Sequence, residues 1–299
     1  MSSVADAVRV GEVVVGDCLD VLRSMPDDSV DLVFTSPPYE DARTYGMDFA
    51  MSGDEWVAWA ADRYEQCCRV SKGLVAWVVQ GRTKRFRWSL TPAKLMVELD
   101  RRGVSLRNPP IYQRVGIPGS GGPDWLRSDY EWVVCSSSGR LAWSDNTACG
   151  HEPKFPVGGG MSNRTQDGRR RNEISGYRRN SDGRNGGYQI PARANPGNVI
   201  RCHGGGGHMG HHLSHENEAP FPLKLADFFV RSFCPPGGVV LDPFVGSGTT
   251  LHAAETCGRR WAAVDVRESQ AELVERRLAD VRLKPNCPTQ TPTESGPES

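Results

Sequence analysis

The chain has 299 residues, 38% of them hydrophobic, with 33 glycines and 21 prolines, and its 36 basic side chains balance 36 acidic ones. That length holds one large α/β domain or two small ones, with much of the chain in loops, and the zero net charge does not exclude nucleic acid, because binding depends on where the charge sits. No apolar run reaches the ~18 residues of a membrane span, the N-terminus lacks a signal peptide's basic start and apolar stretch, and cysteines without CxxC spacing suit free thiols in a reducing cytoplasm.

Glu12–Val15 predicts a short strand ending at Gly16-Asp17, and Val30–Thr35 a second strand that ends in Ser-Pro-Pro. Asp54 is the expected N-cap of a helix, with Trp56, Val57, Ala60, Ala61 and Tyr64 following at helical spacing. Leu74–Val79 predicts a third strand, and Pro92–Leu99 a helix that stops near Gly103. Strand and helix in alternation point to a parallel sheet covered on both faces. Trp56, Trp59, Trp77 and Trp88 are expected in the core or at its margin.

From about 116 to 216 the periodicity fades, with one strand predicted at Glu131–Cys135. Between Asn163 and Arg201 there are nine arginines, three acidic residues and no lysine. Such a stretch would not fold in isolation. His203, His208, His211, His212 and His215 then crowd a glycine-rich segment, but no CxxC pairs with them, so no metal is expected. Order returns with a helix over Pro222–Phe233, a strand at Val239–Leu241, a helix at Thr249–Cys257, a strand at Trp261–Val264 and a helix at Glu268–Val281. Residues 284–299 read as a disordered tail.

Two segments carry chemistry. VVLDPFVGSGTT, Val239 to Thr250, is a strand, a glycine loop and a helix start. Gly246 and Gly248 let backbone approach a ligand closely, while Ser247, Thr249 and Thr250 bring hydroxyls and free helix N–H groups to the same point. Asp242 and Asp265 each end a strand, where open α/β sheets bind ligands; a carboxylate at Asp265 can accept from both hydroxyls of a ribose. The loop lacks the GxGxxG and GxxxxGK[ST] patterns, as a ligand without phosphate would allow. On its own it reads equally well as a plain strand-to-helix turn.

VDLVFTSPPY, Val30 to Tyr39, is the second segment. Two successive prolines hold the backbone extended and remove two donors, leaving carbonyl oxygens free to accept. Ser36 Oγ and the Pro37 carbonyl are candidate acceptors for an amino group, and Tyr39 offers a flat face for stacking. Glu40, Asp41, Arg43 and Tyr45 follow, either as a loop that closes over a ligand or as charged surface.

Together these motifs resemble the amino-group DNA methyltransferases of the class in which the catalytic motif precedes the cofactor motif. TSPPY at 35–39 is similar to the catalytic motif, and DPFVGSGTT at 242–250 to the cofactor motif. EAPFPLKLADFFVRSF, Glu218 to Phe233, resembles the helix segment before it, and GDCLDVLRSMPDDSVDLVF, Gly16 to Phe34, the stretch leading into the catalytic motif. The resemblance implies an α/β fold: a doubly wound, mostly parallel, seven-stranded Rossmann-like sheet with an inserted loop-rich target recognition region. The expected division is 1–115 for the catalytic half, 116–214 for the insert and 215–283 for the cofactor half.

The resemblance further implies S-adenosyl-L-methionine as cofactor, held by Asp17, Phe221, Asp242, Pro243, Phe244, Gly246, Ser247, Gly248, Thr249 and Asp265. Catalysis falls to Ser36, Pro37, Pro38 and Tyr39, without a cysteine nucleophile or a metal. The partner implied is double-stranded DNA, contacted through Arg169, Arg170, Arg171, Arg178, Arg179 and Arg184, with the target base rotated out of the duplex. Ser at position 36 is associated in this family with cytosine N4, and Asp there with adenine N6, so N4 is favoured. Adenine N6 and a catalytically inactive DNA-binding homologue remain alternatives. The family is bacterial or viral in most members, which implies a cytoplasmic protein, with a restriction endonuclease partner left open.

Overall fold

A computed structural model describes residues 10–41, 49–116, 123–154, 192–204, 209–216 and 220–283. In chain order the elements are β1 (Val13–Val15), α1 (Cys18–Ser24), β2 (Val30–Thr35), α2 (Gly53–Val70), β3 (Ser71–Val79), β4 (Thr83–Lys84), β5 (Arg87–Trp88), α3 (Thr91–Arg101), β6 (Ile111–Val115) and β7 (Tyr130–Ser136). They continue with β8 (Val199–His203), α4 (Leu223–Phe233), β9 (Val239–Asp242), α5 (Thr249–Thr256), β10 (Arg260–Asp265) and α6 (Glu268–Leu283). Among the described residues no helix is long and apolar enough to cross a membrane.

One sheet of eight strands runs β1-β10-β9-β2-β3-β7-β6-β8, and β4 and β5 form a separate hairpin. Within this sheet, among the described residues, β7 alone runs antiparallel to its neighbours, β3 and β6. The doubly wound, mostly parallel, Rossmann-like sheet therefore holds, with eight strands where seven are expected. The eighth is β8, in which Ile200 and Cys202 are buried between exposed Val199, Arg201 and His203. That alternation is an edge strand's pattern, hidden in the sequence by the surrounding arginine and glycine.

Alternate residues of the strands feed two cores. Leu32, Phe34, Leu74, Ala76, Val78 and Val240 pack against α4, α5 and α6. Val33, Val75, Trp77, Val79, Val239 and Leu241 pack against α2 and α3. A strand buried on both faces reads as an unbroken apolar run, which is why β2 and β3 are legible in the sequence. The α2 start differs from expectation: Ser52 is the N-cap, without a side-chain cap bond, and Asp54 lies in the first turn. Trp56 and Trp77 are fully buried, and Trp59 and Trp88 lie at the margin.

The chain forms two compact units, one of Met1–Ser144 with Asn198–Ser299, the other Asp145–Gly197. The stretch 116–214 contributes β7 and β8 to the sheet. Within the unit Asp145–Gly197, His151 and Ala194 exchange two backbone hydrogen bonds, of 3.3 and 2.9 Å. The basic residues Arg169, Arg170, Arg171, Arg178, Arg179 and Arg184 lie outside the described residues, as does the tail 284–299. Cys18, Cys67, Cys135, Cys202 and Cys234 are buried free thiols.

Packing of β3 on β2 leaves no room at Gly73, where a Cβ would stand 2.0 Å from the Asp31 carbonyl oxygen. Gly73→Ala should therefore cost about 2–4 kcal/mol, read as a lower urea midpoint at unchanged slope.

Candidate active site

The carboxyl ends of β2 and β9 lie side by side, with Leu32 opposite Val240 and Val33 opposite Leu241. From β2 the chain passes through α2 on one face of the sheet; from β9 it passes through α5 on the other. Two neighbouring parallel strands whose connections depart to opposite faces open a crevice between them, and open α/β sheets bind ligands there. Thr35 Oγ1 donates to Asp242 Oδ1 at 2.5 Å, and Thr250 Oγ1 donates to the Phe34 carbonyl at 3.3 Å. These two bonds fasten the SPPY strand end to the glycine loop.

A cavity of about 360 Å³ occupies the crevice, lined by Gly16, Asp17, Ser36, Pro38, Phe221, Pro243, Phe244, Gly246, Ser247, Thr249 and Asp265 among others. Both motifs singled out in the sequence therefore reach one space. Asp242, Gly248, Pro37 and Tyr39 do not line it. Asp242 is buried behind the wall and also accepts from the Phe244 N–H at 3.1 Å. Gly248 is the left-handed N-cap of α5, at φ +77°.

The glycine loop is held from both sides. Gly246, at φ +49°, donates its N–H to Asp265 Oδ2 at 3.1 Å, and Asp265 Oδ1 accepts the Arg267 N–H at 3.1 Å. Gln270, its amide oriented to match, donates to the Gly246 carbonyl at 3.0 Å. From α6, Arg277 Nη1 donates to the Ser247 carbonyl at 3.1 Å, Ser247 Oγ at 3.2 Å and Thr249 Oγ1 at 3.1 Å. The expected ligand hydroxyls of Ser247, Thr249 and Thr250 are thus engaged by protein groups. Arg277 is fully buried and pushed down to about 10 by burial, and beside it burial and the Arg277 charge push His252 down to about 3, keeping it neutral.

On the opposite wall the expected Asp17 and Phe244 are joined by Arg63, Trp59 and Phe49, for which no site role is expected from sequence. Asp17 caps α1 by accepting the Leu19 N–H at 2.7 Å, and takes Arg63 Nη2 at 2.8 and 3.0 Å. Arg63 lies 4.4 Å over the Trp59 ring, which meets Phe49 at 5.0 Å and Phe244 at 5.7 Å. Cys18 also reaches the cavity; burial pushes its thiol up to about 12 against the pull of Arg63, so it stays protonated and unreactive.

At the SPPY end Ser36 Oγ is 3.2 Å from the Val78 carbonyl and 3.3 Å from Tyr39 Oη, and Tyr39 Oη donates to Glu131 Oε2 at 2.6 Å. Trp56 Nε1 donates to the Pro38 carbonyl at 2.8 Å. Glu40 braces the scaffold by accepting the N–H groups of Gly53 and Arg82 at 3.3 and 3.0 Å. Burial raises its carboxyl, but those bonds and the hydroxyls of Ser89 and Thr91 outweigh it and hold Glu40 below its ordinary value. Asp41 pairs with Arg82 at 2.7 Å. These two acidic residues therefore belong to the frame; Arg43 and Tyr45 lie outside the described residues.

His211, His212 and Asp280 form a cluster with metal-ligating atoms within 4.8 Å of one another. The Leu213 N–H donates to His211 Nδ1 at 3.3 Å. That places the neutral ring's proton on Nε2, the nitrogen 3.6 Å from Asp280. A metal-bound histidine needs the reverse, its second nitrogen donating outward, so the cluster reads as a histidine–aspartate pairing.

A cofactor with a flat base, a ribose and a charged tail finds matching groups here. The volume lies in the range of small-molecule sites. Phe49, Trp59, Phe221 and Phe244 supply apolar surface, and Asp17 and Asp265 supply carboxylate acceptors. Arg63 Nε is buried without a partner among the described residues.

Residues 30–276 match the family model described as DNA methylase. The chain is 25% identical over 271 residues to the orphan methyltransferase M.BamHII of Bacillus amyloliquefaciens, covering 86% of this chain and 91% of that protein. It shares its fold with TTHA0409 of Thermus thermophilus, solved complexed with S-adenosyl-L-methionine, at a TM-score of 0.56 and 24% identity over 90% of this chain and 93% of that one. It also shares its fold with the PvuII DNA methyltransferase, described as cytosine-N4-specific, at a TM-score of 0.62 and 18% identity over 93% of both chains.

Burial raises the Asp242 carboxyl to about 6, against hydrogen bonds that lower it. The folded protein thus binds that proton more tightly than the unfolded chain. The contribution favours the native state in acid and is lost as pH rises from about 4, the unfolded value, through about 6. Asp242→Asn keeps an Oδ1 acceptor and should remove this part of the pH dependence of unfolding; an unchanged slope from denaturant melts across that window would contradict it.

Proposed function

Because this chain belongs to the DNA methylase family, whose cofactor is S-adenosyl-L-methionine, we propose that it methylates the N4 amino group of cytosine in double-stranded DNA. The observation that carries the reading is the shared cavity. Ser36 and Pro38, ending β2, and Gly246 and Asp265, from β9–α5 and β10, face one space. A methyl donor and an acceptor amine must meet within bonding reach, and this crevice brings the two motifs together.

The bound cofactor supplies a sulfonium-activated methyl group open to in-line displacement. The chain's residues position and shape the amine. The Ser36 hydroxyl, at the cavity wall, accepts one hydrogen of the amine, and the Pro37 carbonyl, set just outside that wall with nothing donating to it among the described residues, is assigned the other; together they draw the nitrogen lone pair out of conjugation with the ring. Asp265 and Asp17 take cofactor hydroxyl and amino groups, and the aromatic wall takes its base. The amine of a paired base is out of reach, so the target base turns out of the duplex.

Recognition is assigned to the insert 116–214, whose arginines suit phosphate and guanine contact. Residues 1–115 and 215–283 are assigned as the catalytic and cofactor halves. Cytosine N4 is preferred because Ser stands at position 36 and because the PvuII protein of the same fold is described as cytosine-N4-specific.

Nucleoside mass spectrometry of DNA treated with the protein and S-adenosyl-L-methionine should find N4-methylcytosine; N6-methyladenine alone would move the assignment to the other amine. Ser36→Ala should lower kcat about 100-fold with unchanged cofactor affinity by calorimetry. Gly246→Val puts a β-branched residue at φ +49° and should abolish cofactor binding. Normal binding by that variant would remove the loop from the cofactor site.

A further inference from the structure

The hydrogen bonds behind Ser36 have a fixed direction. Tyr39 Oη has one proton and donates it to Glu131 Oε2 at 2.6 Å. Toward Ser36, 3.3 Å away, Tyr39 can therefore only accept. The other neighbour of Ser36 Oγ, the Val78 carbonyl at 3.2 Å, also only accepts. Whichever it chooses, the Ser36 proton points into the protein, and the hydroxyl presents lone pairs to the cavity.

Glu131 sets this direction, and the sheet does not need it. It lies on β7 opposite Tyr112, at a position whose backbone pairing any residue could make. Its side chain is 11% exposed, and Arg114 Nη1 on β6 stands 3.4 Å away. An apolar residue there would avoid the desolvation cost of a buried carboxylate.

We propose that Glu131 is a positioning residue for methyl transfer: through Tyr39 it holds Ser36 as a hydrogen-bond acceptor for the target amine. The proposal rests on the role given to Ser36 above and holds for either amine. A carboxylate anchoring a serine through a phenol gives that serine part of the accepting strength an aspartate would have. The groups facing Glu131 are Tyr39 after β2 and Arg114 and Tyr112 on β6. Burial raises the Glu131 carboxyl, opposed by the Tyr39 bond and the Arg114 charge. Once protonated, Glu131 can donate to Tyr39 Oη, which frees the Tyr39 proton to turn toward Ser36, where it occupies one of the two lone pairs and weakens the acceptor.

The test uses the full chain, with kcat, DNA KM and cofactor Kd measured against pH. In the wild type kcat should fall on the acid side as Glu131 protonates. Glu131→Gln and Tyr39→Phe should each lower kcat roughly 10- to 100-fold, the worth of one charge-assisted hydrogen bond. Cofactor Kd should be unchanged and the acid-side fall lost. Combined with Ser36→Ala, either change should cost nothing more, since the chain then has nothing to orient. Tyr39→Phe leaves the β7 carboxylate in place and serves as the test if Glu131→Gln misfolds. Wild-type kcat in the folded variants, a surviving acid limb, or full additivity with Ser36→Ala would overturn the proposal. A wild-type protein that methylates no DNA amine would overturn the functional reading as well, whereas activity with unaffected variants overturns this inference alone.

Discussion

The pairing of β2 with β9 is the constraint on which the site depends. It joins strands from opposite ends of the chain, and at its carboxyl edge the Thr35–Asp242 bond spans 207 positions of sequence. The two central motifs are displaced from that edge by only a few residues. Ser36 follows Thr35 directly, and Gly246 follows Asp242 by one turn. Positional accuracy in the crevice is therefore inherited from a rigid sheet rather than from long loops.

Buried charge supports the same edge. Arg277 spends its donors on the carbonyl and hydroxyls of the glycine loop, and the ionisable group beside it, His252, is neutral. A guanidinium in that setting costs desolvation but fixes three acceptors in one geometry. On the other wall Arg63 is shared between Asp17 and Trp59. Each half of the cavity thus has an arginine from a neighbouring helix, Arg63 at the wall and Arg277 behind it.

The elements most legible in the sequence carry an unbroken apolar run or a regular apolar stripe. β2, β3 and β9 are apolar on both sides, and α2 and α4 carry regular apolar stripes, so their periodicity survives unaided. α1 and β6 escaped notice because they are short and mixed in character, and β8 because its two inward residues are separated by an arginine. SPPY and the glycine loop stood out by composition. Glu131 and Arg277 did not, because an isolated charge reads as surface. The signal was nonetheless present: Arg277 falls on the stripe of Leu273, Val274 and Leu278, and Glu131 alternates in phase with Val133. A charge in phase with the core has to be satisfied by something.

The order of the halves along the chain also bears on how the protein is made. β2 emerges from the ribosome with one flank paired to β3 and the other bare until β9 is synthesised. At roughly 5–20 residues per second, some 200 residues of further synthesis leave that central strand open for about 10–40 s. An apolar strand with unsatisfied backbone groups is a template for pairing with the wrong chain, and its proper partner is a contact of very long sequence separation, the kind that forms slowly. Yield in a producing cell should therefore respond to elongation speed and to chaperones that shield nascent strands.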